Sequence, residues 1–300
     1  MSETLGSCPL CGSHKIHKGY KKISDHAVSQ ETFTLDRCQD CDLIFTNPRP
    51  SQQEIHPYYD FEEYYSHSDG GKDLISKIYQ TVKDRNINTK LKRLEKLIGR
   101  KGKWLDYGCG TAELINQGNI HGWTVFGIEP NQQAFSLSQI KLPNQIFQSI
   151  DSCDENSFDI ITLYHVLEHI HDLKETVDQL LKRLKVGGYI IIAVPNPLSL
   201  DSEKYGPFWA GWDVPRHLYH FTDHTMQKFA QIYNLNLIET EPLVFDSYYV
   251  SLLSEKYKNP NTSNIVKYSL AFLSGIQSNT KARINSNRQH SSNIYYFQKS

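Results

Sequence analysis

The sequence predicts an α/β fold in which a doubly wound, seven-stranded, mostly parallel sheet follows a small N-terminal module. Three observations lead to this prediction. Strand and helix patterns alternate beyond residue 103, which is typical of a parallel sheet with helices on both faces. The run Phe158–Tyr164 is largely apolar, as expected of a strand buried on both faces. Two Cys-x-x-Cys pairs lie within the first 50 residues.

The elements can be placed in order along the chain. Apolar residues recur at helical spacing from Lys72 to Ile98, and Gly99 follows them. The first strand ends at Trp104-Leu105-Asp106, before a glycine-rich turn. The later elements are expected at Val125–Glu129 (strand), Asn131–Ile140 (helix), Ile146-Phe147 and Phe158–Tyr164 (strands), Asp172–Leu184 (helix), and Tyr189–Val194, Leu235–Leu243 and Asn293–Gln298 (strands). Residues 244–290 are predicted as an insertion with a helix over Tyr248–Tyr257.

The charge balance excludes the simplest nucleic-acid-binding design. The chain has 32 basic and 33 acidic residues, a formal net charge of -1. Proteins that hold a polyphosphate backbone usually show a basic excess or stripe. The short cluster of Lys90, Lys92, Arg93 and Lys96 is typical of a solvated helix face. We therefore expect no nucleic-acid partner.

The N-terminus predicts a cytoplasmic protein. Its first residues, MSETLGSCPLCG, lack the basic start and apolar core of a signal peptide. No apolar run approaches the roughly 20 residues that cross a bilayer, so no membrane insertion is expected. The oligomeric state is not indicated.

The cysteines predict a structural zinc site in a zinc-ribbon-like module. Cys8-x-x-Cys11 and Cys38-x-x-Cys41 frame 26 residues, while Cys109 and Cys153 are isolated. In a reducing compartment such pairs favour metal over disulfides. Two thiolates from each of two tight turns complete a tetrahedral zinc site with no open position. Redox dithiols are the alternative.

The glycine turn Asp106-Tyr107-Gly108-Cys109-Gly110-Thr111-Ala112 predicts a ligand site at the carboxyl end of the first strand. Glycines let the backbone approach a ligand closely. Glu129 ends the next strand, 21 residues after Gly108, and its carboxylate can accept both hydroxyls of a ribose. A dinucleotide fingerprint would require glycine at position 113, where this chain has Glu113. S-adenosylmethionine carries no phosphate and tolerates acidic neighbours, so it fits better.

From about Trp104 to Ile238 the chain resembles the class I S-adenosylmethionine-dependent methyltransferases, whose fold is Rossmann-like. The resemblance lies in four ordered segments: Asp106–Ala112, Ile128-Glu129-Pro130, Phe158–Ile161 leading into His165–Ile170, and Leu184–Gly188 through Val194-Pro195-Asn196. Ala112 replaces the family's usual third glycine. The resemblance implies cofactor contacts from Asp106, Tyr107, Gly108, Cys109, Gly110, Glu129, Pro130, Tyr164 and His165.

With its N-terminal segment included, nearly the whole chain resembles a bacterial subgroup of these enzymes that carries a zinc-binding segment before the catalytic domain. The cysteine pairs, Thr46–Pro50 and Tyr64-Tyr65-Ser66-His67 carry this likeness. We therefore expect a zinc module over residues 1–50, a linker with cofactor-covering helices over 51–100, and the methyltransferase domain over 101–300. Related layouts act on small molecules and sugars.

The segment Tyr205–Phe221 is rich in aromatic residues and histidines and is the predicted acceptor site. His217, and after it His220, are the predicted general bases, because an imidazole titrates near neutral pH. Arg216 could hold an acidic acceptor, and Trp209 and Trp212 could stack on a sugar. A lid packed on its own aromatics is the alternative. A metal site built from His165 and His169 is disfavoured because no third ligand lies nearby.

The sequence therefore predicts a methyltransferase that carries out O- or C-methylation of a small molecule or sugar. The Asn/Asp-Pro-Pro-aromatic motif of amino methylation and the Pro-Cys nucleophile of cytosine chemistry are both missing after the fourth strand. The alternative is a zinc-ribbon RNA-binding protein, or an RNA methyltransferase, on a modified scaffold.

Overall fold

A computed structural model describes residues 2–59, 74–284 and 289–300, with the backbone alone for 74–84 and 284. The predicted Tyr64-Tyr65-Ser66-His67 motif lies outside the described residues. The chain divides into two units. We call residues 1–61, 165–176 and 192–297 the histidine unit, and residues 62–164, 177–191 and 298–300 the glycine-turn unit. None of the described helices combines the length and apolar character that membrane crossing requires.

The N-terminal strands belong to the histidine unit. They are β1 (Ser2–Glu3), β2 (Ile16–Ser24), β3 (Thr32–Cys38), β4 (Ile44–Thr46) and β5 (Arg49–Pro50). β1 pairs with β5, and β2, β3 and β4 form an antiparallel sheet. The fourth member of that sheet is β11 (Tyr219–His220), which pairs with β4 in the register Tyr219↔Phe45 and His220↔Ile44. The cysteine module thus shares a sheet with the predicted acceptor segment.

The remaining elements alternate as predicted. In chain order they are α1 (Leu74–Ile98), β6 (Lys103–Tyr107), α2 (Glu113–Ile120), β7 (Thr124–Ile128), α3 (Gln132–Lys141), β8 (Ile146–Phe147), β9 (Phe158–Tyr164), α4 (Leu173–Arg183), β10 (Leu184–Pro195), α5 (Leu200–Tyr205), α6 (Asp223–Ile232), β12 (Leu235–Pro242), α7 (Asp246–Lys258), α8 (Asn264–Ile284) and β13 (Ser292–Lys299).

The seven-stranded sheet confirms the predicted fold class. Its order is β12-β13-β10-β9-β6-β7-β8. β7 and β9 flank β6 in parallel, and β8 pairs in parallel with β7. Because Tyr107 is paired with Ile128, the carboxyl ends of β6 and β7 lie at one sheet edge. This edge is where doubly wound sheets bind ligands.

Two details differ from the sequence prediction. β10 begins at Leu184, immediately after α4, rather than at Tyr189. Its Gly187 adopts a positive φ of 75°, a conformation that lets a glycine lie inside the strand. The predicted insertion contains a second helix, α8, besides the expected α7.

The core of the sheet is aliphatic and aromatic. Trp104, Leu105 and Ile161 are fully buried, and the rings of Trp104 and Trp123 meet edge to face with centroids 5.8 Å apart. This packing holds the strands that carry the glycine turn.

Candidate functional site

The glycine turn between β6 and α2 is held against the end of β7. The amide groups of Gly108 and Cys109 both donate to the carbonyl of Ile128, at 2.8 and 3.0 Å. Gly108 and Gly110 have φ values of 75° and 55°, and Ala112 has 60°. The first two positions are therefore suited to glycine, while Ala112 adopts a left-handed conformation that alanine disfavours. Backbone groups thus line this edge of the sheet.

The Glu129 carboxylate is fixed by two backbone donors. The amide of Gly110 donates to Oε2 and the amide of Asn131 to Oε1, each at 2.8 Å. Burial raises the pKa of Glu129, whereas the two amides lower it. A carboxylate has about four acceptor sites, so two are left for hydroxyl donors. This geometry fits the predicted ribose ligand.

Asp106 is buried beside the same turn. Its Oδ1 accepts a hydrogen bond from Thr162 Oγ1 at 2.5 Å, and that hydroxyl accepts one from Trp104 Nε1 at 2.8 Å. Burial raises the pKa of Asp106 to about 7, although the Thr162 hydroxyl opposes the shift. The chain Trp104–Thr162–Asp106 fixes the carboxylate, and Thr162 is a positioning residue that the sequence did not single out.

Cys109 packs inward. A Cβ at Gly127 would lie 2.6 Å from Cys109 Sγ, so the thiol sits closely against β7. Burial raises the pKa of this thiol above its usual range. The Cys109 side chain is therefore a packing element, and its backbone amide is the part that shapes the turn.

The other predicted cofactor residues are divided between the units. Tyr107, Pro130 and Tyr164 belong to the glycine-turn unit, and His165 belongs to the histidine unit. The Lys90 ammonium lies 3.6 Å from the centroid of the Tyr164 ring, a cation–π contact. Lys90 is therefore not simply part of a solvated helix face.

The four N-terminal cysteines converge. Their sulfur atoms lie within 4.8 Å of one another, with Cys8–Cys41 at 3.5 Å and Cys11–Cys38 at 3.6 Å. All four are free thiols. Four buried or half-buried sulfurs at this spacing form the donor set that tetrahedral zinc prefers.

The two cysteine turns have the same backbone geometry. The amide of Gly12 donates to the Cys8 carbonyl at 2.9 Å, and that of Asp42 donates to the Cys38 carbonyl at 3.1 Å. Gly12 and Asp42 have φ values of 74° and 61°. Each turn therefore presents two thiols from one tight loop, as a metal knuckle requires.

The predicted acceptor segment is buried in the histidine unit. Trp209 and Trp212 are each 1% exposed, and their rings pack edge to face with centroids 5.3 Å apart. Their indole nitrogens donate to Asp201 Oδ2 and to the Gly206 carbonyl. Both indoles therefore pack in the interior, with their polar atoms satisfied inside the unit.

Arg216 is also internal. It donates to Asp25 Oδ1 at 2.9 Å, to Asp213 Oδ1 at 2.7 Å and to the Tyr58 carbonyl at 2.8 Å. Its side chain is 1% exposed and that of Asp25 is 0% exposed. The guanidinium of Arg216 thus binds acids of the chain itself. This structural role competes with the predicted role of Arg216 in holding an acidic acceptor.

His217 and His220 lie close together beside β4 and β11. The His217 Nδ1 lies 2.9 Å from the Gly211 carbonyl, and His220 Nε2 is buried without a hydrogen-bond partner among the described residues. Burial lowers the pKa of His220 well below its usual range. The prediction that either residue acts as a base stays a prediction.

His165 lies between two acids. Its Nε2 lies 2.9 Å from Asp246 Oδ2, and its Nδ1 lies 3.4 Å from Glu168 Oε1. Burial opposes the charge, but Asp246 and Glu168 raise the pKa of His165 to about 10. Neither acid was singled out from the sequence, since only the fold brings Asp246 to this histidine.

Comparisons with known proteins agree with this architecture. A family model described as "Methyltransferase domain" matches residues 79–240, more than half of the chain. Uncharacterized methyltransferases of Bacillus mycoides and Bacillus anthracis are 32% identical over 124 residues, covering 37% of this chain and 55% of theirs. The chain thus spans about half the length of the curated relatives it matches.

Solved structures are similar to the chain at low sequence identity. Phosphoethanolamine N-methyltransferase 2 of Haemonchus contortus, in complex with phosphomonomethylethanolamine and S-adenosylhomocysteine, matches with a TM-score of 0.51 and 16% identity, covering 85% of this chain and 62% of that one. A SAM-dependent methyltransferase of Archaeoglobus fulgidus has a TM-score of 0.46, 18% identity, and coverage of 71% and 94%. From the family model and its extent, the chain belongs to the methyltransferase-domain family.

Proposed function

We propose that this chain is an S-adenosylmethionine-dependent methyltransferase whose cofactor lies on the glycine turn. The observation that carries the proposal is the Glu129 carboxylate, held by the amides of Gly110 and Asn131 with acceptor sites remaining for a ribose diol. When bound, the cofactor supplies a methyl group activated by a positively charged sulfur. The chain's part is to orient it, and Asp106 would face its amino-acid end.

The local charges favour this cofactor over a dinucleotide. α2 begins with Glu113, so a carboxylate stands where a pyrophosphate would use the positive end of the helix. Asp106 adds a second acid at the turn. The charge of Glu113 repels phosphate, and the Asp106 carboxyl, whose pKa is raised to about 7, attracts an ammonium or sulfonium group in its ionised form.

The acceptor in this proposal is a small molecule or sugar methylated at oxygen or carbon. Positioning an acceptor in line with the methyl group supplies most of the rate enhancement, and a hydroxyl acceptor must also lose a proton. His217 and His220 are the candidate proton acceptors. Because its Nδ1 lies against the Gly211 carbonyl, which can only accept, His217 carries a lone pair on Nε2.

We further propose that the cysteine cluster holds structural zinc. The symmetric turns at Gly12 and Asp42 support this proposal. A site closed by four thiolates leaves no position for a substrate. Its task would be to stabilise β3, which leads into the second cysteine pair, and β4, which follows that pair.

Calorimetry with S-adenosylhomocysteine tests the cofactor proposal. Wild-type protein should bind, and Glu129→Ala should weaken the affinity by about 100-fold, because each good hydrogen bond to a charged group contributes about 1.5–3 kcal/mol. Glu155→Ala, which removes an exposed carboxylate from the same unit, should bind like the wild type. The absence of wild-type binding at millimolar ligand would overturn the proposal.

A further inference from the structure

One cluster in the histidine unit brings a buried carboxylate together with two imidazole rings. Glu168, His169 and His217 each offer one ligand atom, and these atoms lie within 4.8 Å of one another. Glu168 is 0% exposed. Neither of its carboxylate oxygens has a hydrogen-bond partner among the described residues.

The backbone fixes the tautomers of both histidines. His169 Nδ1 lies 3.0 Å from the carbonyl of Arg216, and His217 Nδ1 lies 2.9 Å from the carbonyl of Gly211. A carbonyl only accepts hydrogen bonds, so each Nδ1 carries the hydrogen in the neutral ring. Each Nε2 therefore carries a lone pair. The Tyr59 hydroxyl, 3.0 Å from His169 Nδ1, can share that N–H as a second acceptor.

These contacts match the surroundings of a metal ligand. Histidines that bind metal usually donate their other ring N–H to a backbone carbonyl or carboxylate, which fixes the ring orientation. Both histidines already have such a contact. Among the described residues the ion-pair partner of Glu168 is the ring of His165, whose Nδ1 lies 3.4 Å from Oε1, and Asp246 shares that ring. The negative charge of Glu168 is therefore only partly balanced.

We propose that Glu168, His169 and His217 bind a divalent transition-metal ion of the zinc class, at a site separate from the four cysteines. Two imidazole nitrogens and one carboxylate are a ligand set that leaves coordination positions open. An oxygen of a small ligand, such as a hydroxyl or carboxylate, can take an open position. A modest movement of the side chains brings atoms spaced within 4.8 Å to the ~2.0–2.2 Å metal distances that such sites show.

The proposed metal site also gives different roles to the two predicted bases, His217 and His220. If His217 Nε2 binds the ion, it cannot accept a proton at the same time. His220, whose Nε2 has no partner among the described residues, remains the free imidazole next to it, with ring centroids 6.3 Å apart. The metal site itself does not depend on methyl transfer, so it can be tested without an acceptor.

Elemental analysis of the full chain tests the proposal. Wild type and Glu168→Gln are each stripped with a chelator, reloaded with excess Zn²⁺ and desalted. The wild type should then contain one equivalent more zinc than the variant. The difference between the two proteins is the result, so it does not depend on what the cysteines hold. His224→Ala, at an exposed histidine of the same unit, should match the wild type.

A second measurement keeps the test decisive if Glu168→Gln folds poorly. Chelator-stripped protein is titrated with Co²⁺, whose visible absorption distinguishes a site of nitrogen and oxygen ligands from the four-thiolate site. The wild type should show one nitrogen and oxygen site, and His169→Ala should bind Co²⁺ there at least ~100-fold more weakly, since loss of even an outer-shell partner costs 10–100-fold. Equal zinc content in wild type and Glu168→Gln, or Co²⁺ binding unchanged by His169→Ala, would overturn the proposal. A buried water between the three groups would give that result.

Discussion

The glycine turn and the histidine cluster both contain buried carboxylates, but they differ in the groups that stabilise the charge. At the glycine turn each buried carboxylate has donors from the chain: Glu129 has two amides and Asp106 has a hydroxyl. In the histidine cluster Glu168 has no hydrogen-bond donor among the described residues. Ionised carboxylates buried without donors cost several kcal/mol. The turn is therefore complete as a rigid binding surface, whereas Glu168 has only the ring of His165, which it shares with Asp246, to balance its charge.

The difference follows from how the two regions are assembled. The turn is built from consecutive residues at the ends of neighbouring parallel strands, so backbone amides are at hand. The cluster joins Glu168 and His169 to His217, from a segment 48 positions later. The backbone there supplies carbonyls to the histidines rather than amides to the acid. Backbone amides and one hydroxyl thus serve the acids of the glycine turn, whereas Glu168 in the histidine cluster receives neither among the described residues.

The largest expected effect comes from breaking the paired ions beside the cluster. Arg216→Leu should lower the free energy of unfolding by about 3–5 kcal/mol, because it leaves Asp213 and the buried Asp25 without their cationic partner. Urea unfolding at pH 7 measures this. Lys15→Ala removes an exposed partner of Asp40, with side chains 72% and 46% exposed, and should cost no more than about 1 kcal/mol. If Arg216→Leu cost no more than Lys15→Ala, the buried region around Arg216 would tolerate unpaired charge.

At the glycine turn, the raised pKa of Asp106 predicts a pH dependence. A carboxyl that holds its proton more tightly when folded contributes most stability below pH 3.8, and that contribution falls as pH rises to about 7. The fall corresponds to about 4 kcal/mol. It should be seen in the difference between the wild-type and Asp106→Asn unfolding free energies, measured from pH 4 to 8. Parallel profiles would show that Asp106 ionises normally.

Gly127→Ala probes how tightly the turn is packed. The new Cβ would lie 2.6 Å from Cys109 Sγ, 2.8 Å from Ile146 Cδ1 and 2.9 Å from Ile115 Cδ1. Overpacking of this kind should destabilise the protein by about 2–3 kcal/mol, which thermal unfolding can measure. Gly6→Ala meets no atom within 4 Å and should be nearly neutral. A neutral result at Gly127 would contradict the rigid turn.

The smallest effect is expected from the hydroxyl that supports Asp106. Thr162→Val removes a donor to the carboxylate and an acceptor for the Trp104 indole, and should cost about 1–2 kcal/mol. It should also raise the pKa of Asp106 further, since the Thr162 hydrogen bond lowers it. Thr162→Ser keeps the hydroxyl and should preserve both properties, as unfolding curves at several pH values would reveal. Identical unfolding curves for the valine and serine variants would contradict the positioning role of the Thr162 hydroxyl.

The sequence predicts the features that depend on neighbouring residues. Glycine spacing, the acid at position 129 and the paired cysteines are local patterns, and the structure brings each set together. The partners of Arg216 could not be predicted, because Asp25 lies 191 positions away. For the same reason the sequence offers no third ligand near His169, whereas the fold supplies His217. Burial of an acid such as Glu168 depends on tertiary packing that no local pattern reports.

The pairing of β4 with β11 has a consequence for biosynthesis. Residues 44–46 leave the ribosome long before their partner strand at 219–220. Until then the edge of β4 carries unpaired backbone groups and apolar side chains, which favour association with other chains. The cysteine module on its own would keep that open edge permanently. A fragment ending near residue 50 should therefore aggregate, because the strand that completes its sheet is made long after β4.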